Sequence, residues 1–207
     1  LYITLGVSIS TSVLVTMIWT SYFRLMERFA RVRRRRQAIA DILNKTLRYT
    51  YLGYISFDDD VVRDYLEILK EFLKQSLIDI IGGGDIKLCL GQHEFRPGHG
   101  NLNEQERCLR DSAIVLALLS HDYCQNNICN KKLNMAYELE KPICFIMMGD
   151  FPESVLPDLI KRLLKTNVIA RMEFVDGQPQ FKSSLEHFCN TMIEMVGSND
   201  QNTEHRL

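Results

Sequence analysis

Residues Leu1 to Phe23 carry no charged side chain, and the thirteen positions that follow hold seven arginines. At about 1.5 Å rise per residue the uncharged stretch makes a helix of roughly 35 Å, longer than a hydrocarbon core of about 30 Å. In lipid the backbone must satisfy its own hydrogen bonds, and a helix does so within one segment. Trp19 and Tyr22 fall near its end, where amphipathic rings favour the membrane interface. Arg24, Arg28, Arg31, Arg33, Arg34, Arg35 and Arg36 follow, opposed only by Glu27. That basic excess assigns the C-terminal side to the cytoplasm. The sequence thus predicts a single transmembrane helix over 1–23, a basic juxtamembrane linker over 24–49 and a cytoplasmic remainder. A signal peptide would place its basic residues first and end at a small-residue cleavage site. A buried core helix would show a polar face. The stretch is only moderately apolar, since Thr4, Ser8, Ser10, Thr11, Ser12 and Thr16 dilute it. Because the chain opens on Leu, we expect it to be cut from a longer protein with an extracellular portion.

The net charge of −1 hides an asymmetry between this basic stretch and an acidic remainder. Each Lys or Arg near an anionic leaflet contributes about 1 kcal/mol, so the arginines are expected to lie against membrane lipids. Nucleic acid is the competing partner for such a run and is rejected, because the cluster abuts the predicted span. Six cysteines form no CxxC pair, and cytosolic thiols stay reduced, so no disulfide is expected. The five histidines have no metal-ligand spacing. Neither a metal nor a cofactor is expected. Asn44-Lys45-Thr46 is a glycosylation sequon that this topology leaves unmodified.

Beyond the arginines roughly 160 residues remain, enough for one domain with its own core. Gln37 to Thr50 reads as a linker, helical at first. Tyr51 to Phe57 is an aromatic and aliphatic strand that stops at Asp58-Asp59-Asp60, where carboxylates favour a helix N-terminus. Val61, Val62, Tyr65, Leu66, Leu69, Phe72, Leu73 and Leu77 recur at helical spacing. Ile86 to Leu90 is a short second strand, and Asn101 to Arg110 a helix. Ala113 to Leu119 and Ile143 to Met148 are unbroken apolar runs, which suit parallel strands covered on both faces. Helices are predicted near Asn130 to Glu140 and Leu159 to Lys165, a weak strand near Val168 to Phe174, and a terminal helix near Phe181 to Val196. Residues 197–207 read as a disordered polar tail. The βαβα order implies a flavodoxin-like α/β fold, with a five-stranded parallel sheet and helices on both faces. Its functional loops should leave the carboxyl ends of the strands.

Gly82-Gly83-Gly84 lacks the Lys-Ser/Thr of a phosphate-binding loop and reads as a connector. No GxSxG is present. In Leu88-Cys89-Leu90-Gly91-Gln92-His93-Glu94-Phe95-Arg96-Pro97-Gly98, a strand runs into a charged segment that ends in Pro-Gly. Proline fixes φ and glycine permits unusual φ/ψ, so this turn can hold one defined shape. An ordinary solvated turn is the bland alternative.

Tyr51-Leu52-Gly53-Tyr54-Ile55-Ser56-Phe57 resembles the first box of the Toll/interleukin-1 receptor (TIR) domain, usually Tyr-Asp-Ala-Phe-Ile-Ser-Tyr. The Leu88 to Gly98 segment resembles the second box, with its Arg-Asp-Phe-x-Pro-Gly turn; here Glu94 replaces the Asp and His93 the Arg. Ser120-His121-Asp122-Tyr123 is similar to the Ser-x-Asn-Tyr/Phe stretch after the third strand. Phe181 resembles the start of the third box, with Lys182 in place of Trp. The resemblance covers about 50–196. It implies a five-stranded flavodoxin-like fold that docks to other TIR domains through the second-box loop, here Glu94, Phe95, Arg96, Pro97 and Gly98. Aromatics and Arg are enriched at interface hot spots, and a rigid turn lowers the entropic cost of docking.

Some members of the family hydrolyse NAD with a glutamate in a Trp-Cys-x-x-Glu-Leu segment. The matching segment is Ile128-Cys129-Asn130-Lys131-Lys132-Leu133, which puts Lys132 at the carboxylate position. An ammonium cannot accept a hydrogen bond from a ribose hydroxyl. Glu138 lies six residues on and about 120° around the helix. No enzymatic activity is expected. The resemblance implies the cytoplasmic tail of a single-pass receptor in the plasma membrane or an endosome, of Toll-like or interleukin-1 type. It would pair with itself or with other receptor TIR domains and recruit TIR-containing adaptors. Two alternatives stand beside this reading: a membrane-bound NAD hydrolase with a rearranged carboxylate, and a decoy or inhibitory receptor.

Overall fold

The computed structural model describes residues 2–90, 101–149, 152 and 156–204; the side chains of 2–12, 14, 59–64, 101–103 and 198–204 lie outside that description. Three apolar runs make the centre of the sheet: β1 (Tyr51–Ser56), β3 (Ser112–Leu119) and β4 (Ile143–Met148). Every residue of β3 is buried, as a strand covered on both faces requires. Alternation then sorts the core into two layers. Ile114, Leu116 and Leu118 of β3, with Cys144 and Ile146 of β4, face one layer. Val115, Ala117 and Leu119, with Ile143 and Phe145, face the other.

Three helices, α1 (Tyr2–Leu43), α2 (Asp59–Ile81) and α7 (Leu185–Glu204), cover the first layer. Leu66, Leu69, Leu73, Leu77 and Ile81 form the inward stripe of α2, and burial of each contributes about 1.5–3 kcal/mol. The second layer is built by α3 (Asn101–Arg110), α4 (His121–Gln125), α5 (Asn127–Glu138) and α6 (Asp158–Leu164). Helices on both faces were expected and are present.

The sheet has six strands in the order β2-β1-β3-β4-β5-β6, completed by β2 (Leu88–Leu90), β5 (Val168–Val175) and β6 (Gln178–Phe181). The first five are parallel, in the flavodoxin-like order. The expected wholly parallel five-stranded sheet is corrected by β6, which pairs antiparallel with β5. Asp176 and Gly177 between them both hold positive φ, 52° and 76°, as a two-residue hairpin turn of the primed type demands. Phe181 therefore ends a strand instead of opening the last helix. It stacks on Phe72 (centroids 6.1 Å) while Phe174 stacks on Tyr65 (4.6 Å), so the outer aromatics of α2 grip the hairpin. Pro179 cannot donate a ladder hydrogen bond, which blunts this edge against a further strand.

Two boundaries also differ. The basic linker is one helix with the segment before it, and its C-terminal end joins the core through Ala38 and Ile42. The terminal helix, expected to end near Val196, runs to Glu204 as α7, and residues 205–207 of the expected tail lie outside the description. The expected transmembrane helix over 1–23 falls largely on residues whose side chains lie outside the description. Among the described residues no helix is long and apolar enough to cross a membrane.

Candidate functional site: the carboxyl ends of β1 and β3

Strand order reverses between β1 and β3, and in open α/β sheets ligands and partners meet the carboxyl edge at such a point. Here that edge is closed by the chain's own polar groups. Ser56, at the end of β1, shares a 2.9 Å hydrogen bond with the Tyr123 hydroxyl of α4. Ser120 caps α4, its Oγ accepting from the Tyr123 N–H at 3.0 Å. Asn126 works in two directions. Its Oδ1 accepts from the N–H groups of Ile128 (2.8 Å) and Cys129 (3.3 Å) at the start of α5. Its amide donates to Asp58 Oδ2 at 3.0 Å. The Cys129 thiol donates to the Phe57 carbonyl at 3.3 Å, so α5 is tied to the end of β1 at two points.

Burial pushes the Tyr123 phenol above its ordinary value, with the Ser56 hydrogen bond opposing. It pushes the Tyr54 phenol up as well, and neighbouring Cys89 adds to the shift. The Cys124 thiol rises to about 11 for the same reason. These groups are neutral at pH 7, and a thiol rather than a thiolate is a poor nucleophile. The Tyr54 hydroxyl is fully buried and has no hydrogen-bond partner among the described residues.

Lys132 lies on the inner face of α5 beside Cys129, Leu133 and Ala136, and only 8% of it is exposed. The register that aligned Cys129 and Leu133 in sequence therefore places Lys132 toward the sheet. Glu138 is exposed on the outer side of the helix, away from the strand ends. An inward ammonium donates hydrogen bonds and accepts none.

The second-box residues Glu94, Phe95, Arg96, Pro97 and Gly98 lie outside the described residues. Their strand, β2, pairs with β1 through Tyr54↔Cys89 and Ile55↔Leu90, so the segment departs from the same carboxyl edge. Of the predicted membrane-surface residues, Arg24, Arg28, Arg31, Arg33 and Arg36 are exposed along α1, and Arg34 and Arg35 are half-buried. Of these, Arg34 passes Gly197 of α7, and α1 leads on into the amino end of β1. Sequence reasoning missed Asp58 and Asn126. The signal available was Asn126-Asn127 before an apolar helical run, since Asn is a favoured N-cap. Among the described residues no group of three or more His, Cys, Asp or Glu side chains could hold a metal ion.

No family model matches the chain. It is 21% identical to human Toll-like receptor 6 over 160 residues, 74% of this chain and 19% of that protein. The chain thus spans about a fifth of that relative's length. Among solved structures it is similar to the TIR domain of the Toll-related receptor TRR-2 from Hydra magnipapillata, at 16% identity and a TM-score of 0.44, over 76% of this chain and all of that one. It is also similar to a metazoan TIR-STING receptor from C. gigas in complex with 2',3'-cGAMP, at 14% identity and a TM-score of 0.47, over 72% of this chain and 40% of that one.

Proposed function

We propose that the chain is the membrane-tethered signalling tail of an innate-immune-type receptor, a TIR-type module that docks to its own kind and recruits TIR-containing adaptors. One observation carries this reading. Tyr51–Ser56 is the buried strand β1 and Leu88–Leu90 the strand beside it, so the chain enters the segment that begins at Gly91 from the carboxyl edge of the sheet, which supports a docking role for that segment. The similarity to a Toll-like receptor is in keeping with it. The reading has no enzymatic step: the strand-end crevice is spanned by Ser56–Tyr123 and Asp58–Asn126, and Lys132 takes the place of a catalytic carboxylate.

Membrane tethering through 1–23 belongs to the same reading. Val13, Val15, Met17, Ile18, Trp19, Tyr22 and Phe23 are each at least half exposed and point to all sides of α1. A helix apolar all round suits lipid, not water. On a straight helix Arg24, Arg28 and Arg31 then lie within about 12 Å of the hydrocarbon edge, whereas Arg33 to Arg36 stand about 15–20 Å away. Electrostatic attraction fades over about 8 Å at physiological ionic strength, so the lipid contact falls chiefly to the first three. Tethering raises effective concentration, and weak domain contacts become productive when receptors pair.

Fusing the chain to an inducible dimeriser tests the proposal in a reporter cell. Output that rises on dimerisation is expected. A silent but folded fusion would favour the decoy reading, and release of nicotinamide from NAD by the purified domain would favour the enzyme.

A further inference from the structure

Residues 24–49 have the composition of a linker, yet their C-terminal half is built into the domain at three successive points. The first is a helix crossing. A Cβ placed on Gly197 of α7 would stand 2.7 Å from the Arg34 carbonyl oxygen and 3.2 Å from the Ala38 Cβ. The α1 and α7 backbones therefore approach closer than any side chain at that position allows. Ala38 is 1% exposed and Ile42 6%. The second point is the end of α1. Lys45 adopts φ 55°, the Thr46 N–H donates to the Asp41 carbonyl at 2.9 Å, and the Lys45 N–H donates to Ile42 at 3.3 Å. This is a Schellman closure, reinforced by the Thr46 hydroxyl on Asp41 Oδ1 at 3.1 Å. The third point lies just before β1. Leu47 and Tyr49 pack on the core. The Lys141 ammonium sits 4.2 Å from the Tyr49 ring centroid and donates to the Ser112 and Arg110 carbonyls at 2.6 and 2.8 Å.

Along α1 from Val7 onward no residue offers a hinge. From Val7 to Leu43 the sequence contains neither glycine nor proline, the usual causes of a helix kink. The helix directions also matter. Met195, near the last core turn of α7, touches Cys144 at the amino end of β4 at 3.4 Å. The last helix thus reaches the amino end of β4, the end of the sheet from which α1 leads into β1.

We infer that α1 is a rigid lever locked to the α/β domain at the Ala38–Gly197 crossing, so that a turn or tilt of its N-terminal half swings the carboxyl-end surface by the same angle. A receptor helix would then transmit orientation as well as proximity. The geometry of the lock holds whether or not 1–23 lies in lipid, so its failure and that of the docking reading are separable.

The test uses the full chain with cysteines introduced at two exposed positions, Phe29→Cys on α1 and Asp158→Cys on α6, each carrying a spin label. All six native cysteines are buried, and burial pushes Cys144 and Cys189 up to about 12, so the labels go to the new sites. Pulsed electron resonance is expected to give one narrow distance distribution. Inserting one, two or three alanines after Arg31 moves the Phe29 label by about 100° and 1.5 Å per residue. The mean distance should then oscillate with the helical period. A broad distribution in the parent, or a mean that insertions leave unmoved or shift steadily one way, would overturn the lever. Gly197→Leu should broaden the distribution while the β1 and β3 amides stay protected from exchange. A narrow distribution in that variant would refute the lock, and if the variant unfolds, the insertion series decides alone.

Discussion

At the carboxyl ends of β1 and β3 the helices are tied to the strands by short polar bonds, Ser56 to Tyr123 and Asp58 to Asn126. At the amino ends α1 and α7 meet through bare backbone and a methyl group, at Gly197 and Ala38. The two kinds of contact do different work. A hydrogen bond contributes a net of about 0.5–1.5 kcal/mol but fixes direction, whereas a buried aliphatic side chain contributes about 1.5–3 kcal/mol and fixes none. The amino end is therefore the anchor of the domain, and at the carboxyl end α4 and α5 are held to β1 in set directions, which suits the proposed docking.

Ile42→Ala gives the largest expected effect. If residues 24–49 were only a tether, the change would be silent. As part of the core it should lower stability by about 2–5 kcal/mol in urea denaturation. An unchanged midpoint would remove the anchor from the comparison.

Alkaline pH sharpens the same end. An unburied thiol titrates near 9, while burial holds Cys144 and Cys189 at about 12. Between those values the unfolded chain has released protons that the folded chain keeps. Stability is then intact below pH 9 and falls as the pH climbs toward 12, by at most about 1.4 kcal/mol per pH unit for each thiol. Burial lowers the Lys141 ammonium to about 8, which adds stability over part of this range, so the decline is read as the difference between the urea midpoints of the parent and of Cys144→Val at pH 9, 10 and 11. A difference that stays flat in this range would mean that α7 does not seal the start of β4.

At the carboxyl end two tyrosines make a matched pair. Tyr123→Phe strands the buried Ser56 hydroxyl and should cost about 1–3 kcal/mol. Tyr54→Phe removes a hydroxyl that has no hydrogen-bond partner among the described residues, so it should be neutral or stabilising by about 1 kcal/mol. Thermal unfolding of both variants checks this. Equal losses would show that the Ser56–Tyr123 bond is no special tie.

The smallest effect is Lys45→Gly. A non-glycine residue at positive φ carries about 1–2 kcal/mol of strain, partly offset by the extra freedom glycine has when unfolded. A rise of up to about 1 kcal/mol is expected, seen as a higher melting temperature. A fall would mean that the Lys45 side chain holds the end of α1 in place.

The central strands were legible because burial on both faces leaves an unbroken apolar run, as in Ala113 to Leu119, and no other element of that length looks alike. The Cys129–Leu133 register was legible only through the resemblance of Ile128 to Leu133 to a family segment, and both residues are buried on the inner face of α5. The hairpin was missed although Asp176-Gly177 spells it; the polar Gln178 and Gln180 on an edge strand gave no apolar pattern to attract notice. The docking of residues 38–49 could not be read at all. Ala38 and Gly197 are small residues whose meaning lies in a partner more than 150 positions away, and the arginines before Ala38 suggested a linker lying against lipid. Asp58 stood in an acidic cluster that suited a helix start, and its bond to Asn126 depends on strand order that only the fold reveals.

The central claim of the proposed function is that Glu94 to Gly98 form the docking surface, and the affinity of the full chain for a TIR-containing adaptor tests it most directly. With Arg96→Ala or Pro97→His and an unchanged melting temperature, binding is predicted to be lost. Binding equal to that of the unaltered chain in both variants would contradict the account.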